Sequence, residues 1–399
     1  MGIFLLTAVF SGGYFLGVEG YRLNWENALK VKIDRQVPPD KNVDFSLFWR
    51  VWDTLSARYF DKTKLIPSEM VYGAIQGMVA SLGDPYTVFL KPSENKIVQE
   101  DLNGSFEGVG IQIGFRAARL VVIAPLPDSP AEEAGIRAGD FIIHIKDENK
   151  DIDMGTGGIA LPDAVAAIRG KAGTKVTLTL AREGSEEPIA VEVKRAKLEV
   201  PSVTLEFVGE GKKVAHLRVI KFSSETASEW DEKVSEILKN PDADSVIIDL
   251  RNNPGGYLQA AVDVASDFIE TGKIVVVEEK SDGSKNEFKV EKLGKLMKYK
   301  MVVLVNEGSA SASEILAGAL RDQKKIQLVG TKTFGKGTIQ EPIEIQGGSG
   351  LHITTARWLT PDGTWVNEEG LEPDVKIEDD EKTQTDEQLQ KAIEILSNF

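Results

Sequence analysis

From residue 197 to about 377 the chain alternates short apolar runs with amphipathic stretches of helical spacing. That alternation limits the fold more than any other feature, because it is the pattern of an α/β core whose strands run parallel. Strands are expected at 214–220, 245–250, 274–278, 301–305, 326–329 and 351–358, and helices at 224–239, 258–270 and 311–321. The run SVIIDL at 245–250 is apolar almost throughout, as a strand covered on both faces must be. No internal repeat interrupts the pattern.

Upstream, over 104–196, the apolar period changes to two. GVGIQIG at 108–114 alternates, 120–124 is a second strand, and SPAEEAG at 129–135 is a short capped helix closed by glycine. A strand at 140–145, a helix at 162–169 with proline at its start, and a strand at 175–182 complete a unit small enough to be a domain of its own. Residues 44–103 read as helical. Phe45, Phe48, Trp49, Trp52, Leu55 and Tyr59 share one helical spacing, and Val71, Ile75, Met78, Val79 and Leu82 another, stopped by Gly83-Asp84-Pro85. The aromatic stripe suits a core or a contact with a second copy, so a homo-oligomer is one expected partner. Residues 19–43, with Pro38-Pro39, read as a linker, and 378–399 as an acidic solvated tail followed by a helix.

Residues 1–18 carry no charge; the first charged side chain is Glu19. As a helix they would span about 27 Å, close to a bilayer core of about 30 Å. A basic leader and an A-x-A-like cleavage site are both missing, so an uncleaved membrane anchor fits better than a cleaved signal peptide. Arg22, Lys30, Lys32 and Arg35 follow directly, a placement that the positive-inside tendency opposes for an outward-facing body.

Composition narrows the chemistry. There is no cysteine and there are three histidines, His144, His216 and His352, so thiol nucleophiles and thiolate metal sites are excluded and no metal or cofactor is expected. With 47 basic against 62 acidic residues the net charge is −15, which disfavours nucleic acid as a partner. Each histidine lies inside a strand pattern, so a sheet role is expected for all three and a Ser-His-Asp triad is disfavoured.

Three segments can carry chemistry. In NEGSASASEI (306–315) an apolar strand runs through a turn of tiny residues into a helix. Ser311-x-x-Glu314 fits a capping box, but a cap does not require six successive residues no larger than serine. Such a turn admits a substrate backbone and offers free N–H groups to an oxyanion, and a serine there is a candidate nucleophile. In TFGKGTIQ (333–340) Lys336 lies between two glycines with no adjacent acid. Desolvation by about 4 kcal/mol would bring an amine pKa from about 10.4 toward 7–8, the range of a general base. Gln340 could hold that amine without recharging it. In DLRNNPGG (249–256) a strand ends in a glycine turn whose N–H groups could complete an oxyanion hole.

Together with GDPYT (83–87), FEGVGIQI (106–113) and SPAEEAGIRAGDFI (129–142), these motifs make the chain resemble the C-terminal processing peptidases, or tail-specific proteases, over essentially its full length. The resemblance implies a multi-domain α/β serine endopeptidase with a Ser/Lys dyad that cleaves extracytoplasmic proteins near their C-termini. It puts the nucleophile on Ser311, the base on Lys336, the lysine-orienting group on Gln340, and the oxyanion hole on the N–H of Ala312 and of Gly255 or Gly256. It also implies that 104–196 is a PDZ domain and 197–377 the protease core. In the PDZ domain, Gly108, Val109, Gly110 and Ile111 would cradle the terminal carboxylate of an unstructured substrate tail bound beside the 162–169 helix. One departure is the glycine-rich stretch Met154-Gly155-Thr156-Gly157-Gly158 before that helix. A membrane-anchored PDZ adaptor without catalysis is the alternative, and the intact Ser, Lys and Gln set speaks against it. An acyltransferase or lyase would need a cofactor signature that the sequence lacks.

Overall fold

The computed structural model describes residues 44–399, apart from 117–118, 127–128, 138, 160, 183, 186, 200, 379–384 and 399, together with two short strands nearer the N-terminus. The expected anchor at 1–18 and most of the acidic run lie outside the described residues. Among the described residues no helix is long and apolar enough to cross a membrane.

The chain divides after Ala74 into two units. In the first, β1 (Tyr21–Asn24) and β2 (Lys32–Arg35) pair antiparallel within the expected linker. Helix α1 (Ser46–Arg58) follows, and α2 (Pro67–Ala80) begins. No residue of α1 is buried, and Trp49 and Leu55 on its aromatic stripe are exposed. Among the described residues the stripe is therefore not part of a buried core.

The second unit opens with β3 (Val88–Leu90) and α3 (Pro92–Leu102). Next comes a small β-domain: β4 (Ser105–Gly108), β5 (Ile111–Arg116), β6 (Arg119–Pro125), the short helix α4 (Pro130–Glu133), β7 (Phe141–Asp147), β8 (Ile152–Gly155), α5 (Leu161–Ile168), β9 (Lys175–Ala181), β10 (Ile189–Lys194) and β11 (Ala196–Glu199). Its sheet has the order β10-β9-β7-β6-β5, so β5 is an edge strand, and β8 pairs with β7. Alternation buries Val176, Leu178 and Leu180 of β9 against Ile168 and Ala164 of α5. β4 and β11 form a separate antiparallel pair through which the chain enters and leaves.

The remainder comprises β12 (Val203–Val208), β13 (Val214–Val219), α6 (Thr226–Lys239), β14 (Ser245–Asp249), α7 (Leu258–Ala265), β15 (Ile274–Lys280), β16 (Lys285–Lys289), β17 (Lys300–Val305), α8 (Ala312–Lys324), β18 (Leu328–Gly330), β19 (Thr338–Glu344), β20 (Gly350–Leu359), β21 (Val375–Lys376) and α9 (Glu387–Ser397). One sheet has the order β12-β13-β14-β17-β18-β21 and is parallel from β13 onward. Its faces are both covered, as the apolar strands require. Val246, Ile248, Val303 and Val305 meet α7 and α8, whereas Ile247, Val302 and Leu304 meet Ala392 and Leu396 of α9.

A second, antiparallel sheet has the order β16-β15-β20-β19, with β3 also on β20. It departs from the purely parallel expectation because the 345–349 turn returns the chain directly as a hairpin. The helix expected over 258–270 ends at Ala265. Beyond it Asp267 turns inward, accepting the Trp230 indole N–H at 2.8 Å and the Lys295 N–H at 3.2 Å.

Candidate active site

Four adjacent parallel strands, β13, β14, β17 and β18, end on one edge of the core sheet, where an α/β fold places its ligands. The segments leaving them bring Ser311, Gly255, Gly256, Lys336 and Gln340 to one cavity of about 390 Å³. Its walls are largely apolar, including Val98 and Leu102 of α3, Phe222, Leu258, Ile315 and Trp358.

The structure separates the three serines of the tiny turn. Ser309 and Ser313 are fully buried, and their hydroxyls donate to the Leu250 and Asn253 carbonyls at 2.8 and 3.0 Å. They pin the turn to the 249–256 loop. Ser311 is the serine that lines the cavity. Its backbone, at φ 55° and ψ −114°, occupies a region that costs a non-glycine residue about 1–3 kcal/mol. A strained strand-to-helix turn of this kind lifts a side chain clear of the sheet edge.

The two glycines also differ. A Cβ on Gly255 would lie 2.8 Å from Ser311 Cβ and 3.0 Å from the Ala312 nitrogen, so only glycine lets the loop touch the serine turn. The Gly255 N–H is already taken, donating to Asn253 Oδ1 at 2.9 Å, while Asn253 Nδ2 donates to the Val219 carbonyl at 2.7 Å. Gly256 forms a parallel bridge with Phe222, but the bonds come from its neighbours: Phe222 N–H to Gly255 O, and Tyr257 N–H to Phe222 O. The N–H groups of Gly256 and of Ala312, at the start of α8, therefore have no partner among the described residues.

Lys336 is clamped through its backbone. Its N–H donates to Glu314 Oε2 at 2.9 Å, and its carbonyl accepts the Trp358 indole N–H at 2.9 Å. Glu314, fully buried, joins the two chemical segments: it also accepts Ser311 N–H at 2.9 Å, the Thr333 hydroxyl at 2.6 Å and Gly335 N–H at 2.7 Å. Burial pushes the Lys336 amine below its ordinary pKa, and the charges of Asp84 and Glu314 oppose that shift. Lys336 Nζ makes no hydrogen bond to Ser311 or Gln340; it lies 4.9 Å from the centroid of the Tyr86 ring. Gln340 donates its amide to Thr338 at 2.9 Å and Thr354 at 3.2 Å, which fixes the group and leaves Oε1 as an acceptor. Hydrogen bonds of a catalytic set often close only when substrate fills the site.

Sequence reasoning did not anticipate Tyr86 or His352 here. His352 lines the cavity from β20, and burial together with the Lys336 charge lowers its pKa. The other histidines are elsewhere: His216 bonds Asp249 at 3.1 Å and His144 faces Asp153 at 3.0 Å. The alternation at the start of β20, which puts 352 and 354 on one face, was the available signal for His352.

In the β-domain, Phe106, Val109, Gly110, Ile111, Ile113 and residues of α5 enclose a second cavity of about 140 Å³. The Val109 carbonyl accepts Ala131 N–H and the Gly110 carbonyl accepts Leu126 N–H, both at 2.9 Å. The N–H groups of Val109 and Gly110 have no partner among the described residues. Gly108 lies at the end of β4, just before this loop.

Three family models match parts of the chain. Residues 213–377 match peptidase family S41, residues 121–182 a PDZ domain, and residues 7–93 the N-terminal domain of the activating protease CtpB. The chain is 37% identical over 329 residues to the carboxy-terminal processing protease CtpA of Bacillus subtilis, covering 82% of this chain and 68% of that one. Against CtpB of the same organism it is 31% identical over 373 residues, covering 93% and 76%. It is similar also to a probable CtpA-like serine protease of Staphylococcus aureus (40% identical, covering 82% and 64%). Among solved structures it resembles the photosystem II D1 C-terminal processing protease, at 30% identity and a TM-score of 0.54, covering 87% of this chain and 96% of that one. The matches favour a catalytic protease over an adaptor that only binds tails: the chain belongs to the carboxy-terminal processing proteases of peptidase family S41, serine-type peptidases with a PDZ domain.

Proposed function

We propose that Ser311 is the nucleophile and Lys336 the general base of this peptidase. Ser311 Oγ bonds to the scissile carbonyl carbon as its proton passes to Lys336 Nζ, and the carbonyl electron pair moves onto oxygen. The N–H groups of Gly256 and Ala312, without a partner among the described residues, receive that oxyanion. Collapse breaks the C–N bond while Lys336 returns the proton to the leaving amine, and water repeats the sequence on the acyl-enzyme. Gln340, fixed by two threonines, turns its Oε1 to the lysinium.

The observation that carries this reading is the sorting of serines: two hydroxyls are committed to carbonyls, and the third lines the cavity of Lys336. The loop Gly108–Ile111 holds a substrate's terminal carboxylate, and β5, an edge strand, takes the tail as an added strand beside α5. Substrates are unstructured protein tails outside the cytoplasm, with the uncharged segment 1–18 as anchor. Ser311→Ala and Lys336→Ala should each abolish cleavage of an unstructured protein, followed by mass spectrometry, with unchanged circular dichroism. Near-normal turnover in either variant would refute the assignment.

A further inference from the structure

The loop between α2 and β3 brings an aromatic ring to Lys336, one of the residues that line the cavity. Asp84 organises it: Oδ1 accepts Tyr86 N–H at 2.9 Å and Oδ2 accepts the Thr87 hydroxyl at 2.6 Å. Thr87 Oγ1 in turn accepts Thr354 N–H of β20 at 3.0 Å, and β3 pairs with the start of the same strand. Tyr86 is thus tied on its C-terminal side to the strand that contributes His352 and Trp358 to the cavity. Its half-buried ring is presented to the Lys336 ammonium at 4.9 Å.

We infer that Tyr86 is a positioning residue for the reaction: its ring face orients the Lys336 amine and stabilises the lysinium formed when Ser311 gives up its proton. The inference rests on Lys336 being the base. An aromatic face attracts an ammonium strongly and a neutral amine weakly. The contact therefore strengthens as charge develops on nitrogen, and only such a differential gain speeds the chemical step. The ring, not a phenolate, does this. Burial first, then the charges of Glu314, Asp84 and Glu368, raises the Tyr86 pKa, so the phenol stays neutral while the amine titrates. The other titratable groups around Lys336 are Asp84 on the same loop, Glu314 on α8, His352 on β20 and Lys221 after β13, with Glu368 facing the tyrosine. Asp84 and Glu314 act on the lysine at long range; the ring adds a directional contact they do not supply.

The test is the pH profile of kcat/KM on an unstructured protein, using the full chain with Tyr86→Phe, Tyr86→Leu and pentafluorophenylalanine at position 86. Tyr86→Phe keeps the ring and should match the parent within about two-fold. Tyr86→Leu and the fluorinated ring, whose quadrupole is reversed at similar shape, should lower the plateau about 2–30-fold and move the acid limb to lower pH by about 0.4–1.5 units. A merely structural role would lower the plateau without moving the limb. A fluorinated enzyme with an unmoved limb overturns the inference, as does a Tyr86→Phe enzyme as impaired as Tyr86→Leu. If Lys336→Ala keeps wild-type turnover, the base assignment itself fails. If Lys336→Ala is inactive and the limb stays fixed, only the role of Tyr86 fails.

Discussion

Replacing Glu314 by glutamine asks whether one buried carboxylate holds the two chemical segments together. Its oxygens accept four hydrogen bonds, from Ser311, Thr333, Gly335 and Lys336, and none of its surface is exposed. An amide keeps one oxygen, so two of these donors would face an N–H₂ group instead of an acceptor. Hydrogen bonds to a charged group contribute about 1.5–3 kcal/mol each. Losing two of them gives about 3–6 kcal/mol, near the cost of breaking a buried charged network. Relaxation of the 331–337 segment would reduce this, because such losses do not add. Both Ser311 and Lys336 hang from Oε2, so kcat should fall about 100-fold or more through lost alignment. Thermal unfolding of the protease core and kcat/KM would be measured on one preparation. Binding of a tail peptide to the PDZ domain, which has its own apolar core, serves as the control for general misfolding. A Glu314→Gln enzyme with parental kcat and unfolding temperature would refute the argument.

Three further outcomes follow from other parts of the molecule. Gly255→Ala puts a methyl 2.8 Å from the Ala310 carbonyl and from Ser311 Cβ at φ 98°, so activity should drop by about two orders of magnitude while tail-peptide binding persists. Arg251→Met removes the guanidinium that joins Asp249 and Asp386 at 2.7 and 2.8 Å and should cost about 3–5 kcal/mol in urea unfolding. The partners His216 and Arg251 hold the Asp249 carboxyl, despite its burial, far below its ordinary pKa. Its contribution to stability is therefore complete above about pH 3.9 and lost as pH falls below that value, and the variant should show a flatter acid dependence. Val165→Asp in the groove cavity should weaken binding of tails with apolar ends at least ten-fold by calorimetry and raise KM for tailed substrates, with kcat little changed.

The sequence carries the α/β alternation because parallel strands covered on both faces need an unbroken apolar run, as residues 246–248 of β14 and 301–305 of β17 supply. β19 escaped notice for the opposite reason: TIQEPIE is polar, contains Pro342, and has no buried residue. The serine turn could be located from its small residues, but the ranking of its three serines rests on carbonyls 59 and 60 residues away. Gly255 and Gly256 are chemically identical neighbours, and only the Asn253 side chain and the Phe222 bridge distinguish their N–H groups. In the sequence Tyr86 stands only within the GDPYT motif, just after the helix stop Gly83-Asp84-Pro85. It reaches Lys336 because Thr87 accepts a hydrogen bond from a residue 267 positions later. Local spacing records helix and strand; it does not record which distant loop a glycine turn will meet.

His352 offers the sharpest test of how the base works, because it is an imidazole, the commonest general base, in the same cavity. A histidine base would titrate near its ordinary value of about 6.5. Here both burial and the Lys336 charge push His352 below that value, while Lys336, lowered by burial, is raised again by Asp84 and Glu314. On rising pH the imidazole therefore loses its proton first and is already neutral when the amine titrates. In a lysine mechanism the active form needs neutral Lys336, so the rate climbs through the lysine transition and falls away below it. Removing His352 takes no charge from the cavity in that window. His352→Gln should thus keep kcat/KM within about three-fold and leave the acid limb where it was, measured by cleavage of an unstructured protein across pH. Were the imidazole the base, the same substitution would cost about 10²–10⁴ in rate. A loss of that size, with Lys336→Ala still active, would move the chemistry from β18's loop to β20.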